Sequence, residues 1–232
     1  GYFCCFASSS SGNCSVYCAG GQRILIDAGT GVRHIADCCR ELGFDLADIT
    51  HIVITHAHSD HTSALANVQK RTSAGVYCSR ACARHLPKAR IAQTFEPGDE
   101  RDLGSVHLSS FATPHDASGS CGYIFDRQVA LCTDLGFMPV DVLARLATVP
   151  TVMLESNYDE SMLIHGEYPW YLKKRIAGEN GHLSNRDCAK CARYLAQCGV
   201  KRLMLAHLSE HNNQPSLALE STRDAVQEFG TE

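Results

Sequence analysis

Short runs rich in Val, Ile, Leu and Cys alternate along the chain with stretches of helical period, and Gly, Asp, Ser or Pro punctuates nearly every junction. The runs predict strands over residues 2–7, 15–19, 23–27, 51–55, 75–78, 105–112, 122–125, 128–133, 151–155 and 202–206. The helical period predicts helices over residues 31–42, 62–71, 79–85, 140–148, 168–178, 185–198 and 216–229. Gly20-Gly21 and Asp126-Arg127 each join two strand patterns and read as hairpin turns. Later strands come singly, each followed by a helix. A sheet-rich α/β core with helices on its outer faces satisfies both patterns, because every strand then has two apolar surroundings and every helix one.

Composition narrows this picture. With 232 residues, 44% of them hydrophobic, the chain has enough apolar surface for a sizeable core and is read as a single domain, 1–232, with no linker or repeat. No stretch approaches eighteen apolar residues, and the opening GYFCCF has neither a basic segment nor a long apolar one, so neither a membrane span nor a secretory signal is expected. Thirteen cysteines at irregular positions, some adjacent, do not make a disulfide framework, and a reducing cytoplasm is the expected setting. Cys188 and Cys191 form a CxxC inside a helical pattern with no second pair nearby, and are expected to be buried rather than zinc-binding. A formal net charge of −4 gives no general attraction to nucleic acid. Only local patches remain: Lys173, Lys174 and Arg175, and the string Arg80, Arg84, His85, Lys88 and Arg90.

The chemistry concentrates at strand ends. The stretch THAHSDH, following the strand at 51–55, places His56, His58, Asp60 and His61 together. His115 follows the strand at 105–112, Asp134 the one at 128–133 and His207 the one at 202–206. Groups at the ends of several strands can meet at one edge of a sheet. Imidazoles with a carboxylate suit divalent transition metals, and two such ions can share a water, lower its pKa and clamp the oxygens of a substrate. The nucleophile expected is then a metal-bridging hydroxide, and no serine or cysteine nucleophile is needed.

HxHxDH at His56–His61, the upstream LIDAG ending at Gly29, and His115, Asp134 and His207 in that order resemble the metallo-β-lactamase superfamily over essentially the whole chain. The resemblance implies an αββα four-layer sandwich. It implies that His56, His58 and His115 hold one metal, that Asp60, His61 and His207 hold a second, and that Asp134 bridges the two. The ions expected are zinc or manganese, with iron as an alternative. Asp27 matches the family's structural aspartate, expected to fix the HxHxDH loop. Aspartate rather than cysteine at 134 separates the chain from lactamases that use a thiolate. The segments SSSSGN at 8–13, LESNYD at 154–159, GHLSN at 181–185 and HLSEHNN at 207–213 are similar in combination to the YycJ/WalJ branch, regarded as DNA exonucleases. That branch lacks the inserted domain of the β-CASP ribonucleases, which implies a complete length here.

Asp60 and His182 are the candidate catalytic residues. His182 precedes a good N-cap, Ser184 and Asn185, so it is expected beside the metals at a helix N-terminus, as general acid or phosphate partner. His211, Asn212 and Asn213 have weaker claims, since they also make good turn chemistry. His34, His51, His85, His107 and His165 have no ligand-like context. Two functions are therefore expected to compete. One is a dinuclear phosphodiesterase acting on DNA at a local basic patch; the other is a small-molecule hydrolase cleaving a thioester, lactone, lactam or cyclic phosphodiester.

Overall fold

The computed structural model describes residues 1–231. They fall into two compact units, Gly1–Ser110 with Ala117–Cys121, and Phe111–Asp116 with Gly122 onward. Among the described residues, no helix is long and apolar enough to cross a membrane.

The first unit opens with an antiparallel meander of β1 (Tyr2–Ser9), β2 (Gly12–Ala19) and β3 (Gln22–Ile26). Gly20 and Gly21 close the second hairpin at φ values of 53° and 79°, the left-handed pair that a two-residue turn needs. After α1 (Val32–Glu41), β4 (His51–Val53) joins β3 in parallel. α2 (Ser59–Thr62) and α3 (Leu65–Gln69) lead to β5 (Val76–Ser79), and α4 (Arg80–Ala83) leads to β6 (Ile91–Phe95). The sheet runs β1-β2-β3-β4-β5-β6, with β3 to β6 all parallel. Val16, Leu25, Ile52 and Val76 from one face of that sheet pack with Ile35 and Cys39 of α1 and Leu65 and Val68 of α3.

β7 (Glu100–Leu103) pairs antiparallel with β8 (Val106–Ala112), whose last residues carry the chain into the second unit. There follow β9 (Cys121–Phe125), β10 (Val129–Cys132), α5 (Val140–Leu146), β11 (Thr151–Glu155), α6 (Glu160–His165), α7 (Trp170–Ile176), α8 (Asn185–Gln197), β12 (Arg202–Ala206) and α9 (Pro215–Val226). The second sheet runs β12-β11-β10-β9-β8-β7, and its β10, β11 and β12 are parallel. Asp126 and Arg127 turn the β9–β10 hairpin in the left-handed region, at φ 50° and 54°. Ala130, Cys132, Val152 and Leu154 pack with Val142 and Leu146 of α5 and with Cys188, Cys191 and Leu195 of α8. The CxxC is thus core. Burial pushes both thiols up to about 12, far from the thiolate a metal would need.

Four elements named here differ from the sequence reading. The helix predicted over 62–71 is broken into α2 and α3, because the Ala64 N–H bonds the Ala28 carbonyl and the Ser63 hydroxyl bonds that of Gly29. Tertiary bonds thereby replace the helical ladder, and Asp60 and His61 lie within a first short turn of helix. β6 and β7 carry polar or charged residues in place of an apolar run, and form because β5 and β8 offer them partners. α6 had a readable start in Asp159, whose side chain caps the Met162 N–H.

Close packing makes Gly122 a sensitive point, since a Cβ there would strike the ring of Phe111, which is itself only 2% exposed. Gly122→Ala is expected to cost about 1–3 kcal/mol of stability, as overpacking does. Urea denaturation checks this, and an unchanged midpoint would contradict it.

Candidate metal centre

In the first unit the site is built at the adjacent ends of β3 and β4, where Ile26 pairs with Val53. Asp27 follows β3 in a left-handed conformation, φ 59°, and is buried. Its Oδ1 accepts the Thr55 N–H at 2.8 Å; its Oδ2 accepts the Thr55 hydroxyl at 2.9 Å and His61 Nδ1 at 2.8 Å. A carboxylate only accepts, so His61 carries its proton on Nδ1 and turns Nε2 the other way. His56 and His58 lie with ring centroids 4.7 Å apart, and His56 and His61 with theirs 4.1 Å apart. His61 Nε2 is 3.3 Å from Asp60 Oδ2. All four residues of the motif thus lie together, braced from behind by Asp27 and Thr55. Gly29 packs so tightly on the Asp60 carbonyl that a Cβ there has no room.

Asn13 is a residue to which sequence reasoning assigned no role. Its amide donates to the Ser9 carbonyl at 2.9 Å and lies 3.3 Å from Asp60 Oδ2 and 3.1 Å from His61 Nε2. The β1–β2 turn SSSSGN therefore serves to present this amide.

In the second unit the parallel strands β10, β11 and β12 end together, and each ends in or leads directly to a candidate site residue. Asp134 and His207 follow β10 and β12 in left-handed conformations, φ 60° and 55°. Glu155 is the last residue of β11 and is completely buried. Its Oε1 accepts Nδ1 of both His182 and His207, at 2.8 Å each, and its Oε2 accepts the N–H groups of Leu135 and Leu183 at 3.1 Å. Burial alone would push this carboxyl up, but His182 and His207 outweigh burial and hold it down to about 2. With both Nδ1 atoms taken, His207 turns Nε2 toward Asp134 Oδ1, 3.5 Å away, and His115 Nε2 stands 3.8 Å from the same oxygen. His115 Nδ1 bonds the Gly181 carbonyl at 3.1 Å. His182, with 20% of its side chain exposed against 2% for His207, is the solvent-reachable member of the pair.

Glu155 went unassigned in the sequence, although a carboxylate closing an apolar strand is the same signal that pointed to Asp134. The motif segments around it turn out to be one scaffold. Asn213 bonds the carbonyls of Ser156 and Asn157 and the side chain of Asn185, and Ser156 bonds Asn185 in turn. The Asn157 N–H bonds the Leu183 carbonyl and the Ser209 N–H bonds that of Asn157. Asn213 is thus a brace behind Glu155 and His207. Ser184 is the N-cap of α8, as its sequence suggests, and accepts the Asp187 N–H. However, the N–H groups of Leu183, Asn185 and Asp187 are all taken by protein acceptors, which moves any phosphate role from the helix end to the His182 imidazole.

The basic candidates are mostly committed. Lys173 donates to the carbonyls of Ile164 and Gly166, Arg175 pairs with Asp116 at 2.6 Å, and Arg90 ties down the carbonyls of Thr72 and Ala74. Lys174 lies over the Trp170 ring.

The donors fit a divalent cation. Asp134, Glu155, His182 and His207 bring ligand atoms within 4.8 Å of one another. Imidazole nitrogen and carboxylate oxygen are the donors zinc, manganese and iron accept, and His61, His115 and His207, fixed through Nδ1, keep Nε2 for a ligand.

Comparison with known proteins agrees. A model of the beta-lactamase superfamily domain matches residues 22–208. The chain belongs to the metallo-β-lactamase superfamily. This superfamily member is 30% identical over 238 residues to Exodeoxyribonuclease YycJ of Bacillus anthracis, covering 99% of this chain and 90% of the relative. It is 30% identical over 223 residues to Exodeoxyribonuclease WalJ of Streptococcus pneumoniae, covering 91% of this chain and 83% of that one. Among solved structures, YhfI from Bacillus subtilis aligns with a TM-score of 0.76 at 12% identity, over 97% of this chain and 92% of that chain. Zn(2+)-bound PqqB from Methylobacterium extorquens aligns with a TM-score of 0.74 at 13% identity, over 99% and 96%. The αββα metallo-β-lactamase fold implied by the sequence, two mixed sheets flanked by helices, is the fold of this chain. It is a metal-dependent hydrolase of that superfamily.

Replacing an outer partner of a ligand commonly weakens metal binding by about 10–100-fold. Glu155→Gln is expected to do so for zinc or manganese, read by competition with a chromogenic chelator. A folded variant with unchanged affinity would show that Glu155 orients no ligand.

Proposed function

We propose that this hydrolase is a dinuclear-metal phosphodiesterase acting on DNA, releasing nucleotides as an exonuclease. The observation that carries this reading is the likeness to exodeoxyribonucleases over nearly the whole of both chains. His56, His58 and His115 would hold one ion, Asp60, His61 and His207 the other, and Asp134 would bridge them, as the superfamily pattern implies. The pair, zinc or manganese with iron as an alternative, would supply an activated water and neutralise charge on the phosphate.

The remaining steps belong to the protein. Asp27 and Glu155 hold His61 and His207 in the tautomer that presents Nε2. Asp60 is held by its neighbours His61 and Asn13. His182 is held through its Nδ1 hydrogen bond to Glu155, which turns Nε2 outward as the atom that would pass a proton to the departing sugar oxygen. Its partial exposure suits that role, since a leaving group has to reach it.

A small-molecule hydrolase remains the second reading. It is favoured by a 30% identical match to a Hydroxyacylglutathione hydrolase of Methylobacterium, which covers 38% of this chain and 34% of that one. A cytoplasmic setting fits all thirteen cysteines standing as free thiols.

The deciding measurement is release of labelled nucleotide from a DNA strand with added manganese. His58→Ala is expected to abolish release, and His182→Ala to lower it by about 10²–10⁴, the usual worth of a general acid. Turnover of a thioester with no release from any DNA would favour the second reading.

A further inference from the structure

α7 carries the sequence WYLKKRI and buries none of its seven residues. Trp170 is 66% exposed and Tyr171 75%, a large aromatic area left in water. Lys174 follows Trp170 by four residues, so both lie on one face of the helix, with the ammonium 5.6 Å from the ring centre. Lys173 and Arg175 are tied to α6 and Asp116, which leaves Lys174 to give this face its charge.

The helix is also anchored to the candidate site within the same unit. The Ile176 carbonyl accepts the His182 N–H at 2.8 Å. Asp116, which holds Arg175, bonds the Asn180 carbonyl through its own N–H and lies 3.5 Å from His115 Nε2. Whatever rests on α7 is therefore positioned relative to His182 and His115 through a few hydrogen bonds.

Exposed rings with a lysine one turn away match an unpaired nucleotide. The ring takes the face of a base and the ammonium takes a phosphate. A duplex hides its base faces, and an apolar protein surface would leave the lysine unmatched. We propose that α7 is a stacking platform for an unpaired DNA strand, with Trp170 and Tyr171 beneath successive bases and Lys174 on the backbone. The platform would hold the strand whose end reaches His182, and so it rests on the nuclease reading above.

The chain has a single tryptophan, so fluorescence excited selectively at tryptophan reports on α7 alone. The test titrates the metal-loaded full chain with phosphorothioate-linked oligothymidylate, which resists hydrolysis, and with a blunt duplex. Quenching by the single strand and much weaker quenching by the duplex are expected. In anisotropy with a labelled strand, Trp170→Ala is expected to bind about tenfold more weakly, while Trp170→Phe keeps most of the affinity. Lys174→Ala should lower the slope of log K against log salt by about 0.7, the worth of one phosphate contact. The thermal unfolding midpoint of Trp170→Ala should equal that of the parent, which shows the fold intact.

Equal quenching by the duplex, or unchanged strand affinity in Trp170→Ala, overturns the platform even if DNA is cleaved. Quenching and tenfold loss in a protein that cleaves no DNA would uphold the platform and overturn the nuclease reading.

Discussion

A carboxylate removed from water has to be met by donors on nearly every side, at a desolvation cost of several kcal/mol per ion. The first unit of this protein holds such a carboxylate in Asp27 after β3, the second holds Asp134 after β10 and Glu155 at the end of β11, and Asp27 and Glu155 have histidines arranged around them. Both accept backbone N–H groups and the Nδ1 protons of imidazoles. Because a carboxylate cannot donate, the same bonds that stabilise the buried charge also decide the tautomer and direction of His61, His182 and His207. The direction in which each of these imidazoles presents Nε2 then follows from the burial of its carboxylate partner.

The positions of these groups depend on how the strands end. Asp27, Asp134 and His207 all have positive φ, between 55° and 60°, where a side chain other than glycine costs of order 1–3 kcal/mol. Asp and His bear this conformation better than bulky residues do. The left-handed step turns the chain off the ladder just after the last strand pair, so the side chain is left at the sheet edge instead of continuing the alternation between faces. The strain is offset by the surrounding bonds, such as the Asn157 amide on the His207 carbonyl at 2.6 Å. Replacing these residues by larger or β-branched ones would therefore disturb the backbone as well as the donor set.

This explains which parts of the molecule could be read from the sequence. The ten predicted strands were legible because their apolar residues come in short runs, buried in most and half-buried in β1, and the Gly20-Gly21 turn because glycine adopts positive φ freely. The histidines and aspartates were legible because so many metal-preferring side chains, crowded at strand ends, are costly to solvate or pack without a cation. β6 and β7 were not, since their sequences IAQTF and ERDL leave no periodic apolar pattern; β7 is drawn into the sheet through its tight turn to β8. Glu155 and Asn13 were hidden for a different reason. A single acid or amide in a sequence has no visible partner, and what distinguishes these two is the set of donors and acceptors that folding brings to them. The break between α2 and α3 was equally hidden, because it rests on two bonds to the backbone of Ala28 and Gly29.

The acidic balance of the chain bears on how a polyanion would be bound. Charges farther apart than about 8 Å are largely screened at physiological salt, so a formal charge of −4 spread over 232 residues matters less than the few groups facing the substrate. Most lysines and arginines near the candidate centre in the second unit are spent on structure, Lys173 on the end of α6 and Arg175 on Asp116. Positive charge there would have to come mainly from the bound cations. Two divalent ions would cancel the formal charge of the whole chain and place all of that compensation beside His182, at the point where a phosphate must be drawn in. On the proposed reading, the binding of a polyanion would therefore depend on occupancy of the centre more than on the charge of the chain as a whole.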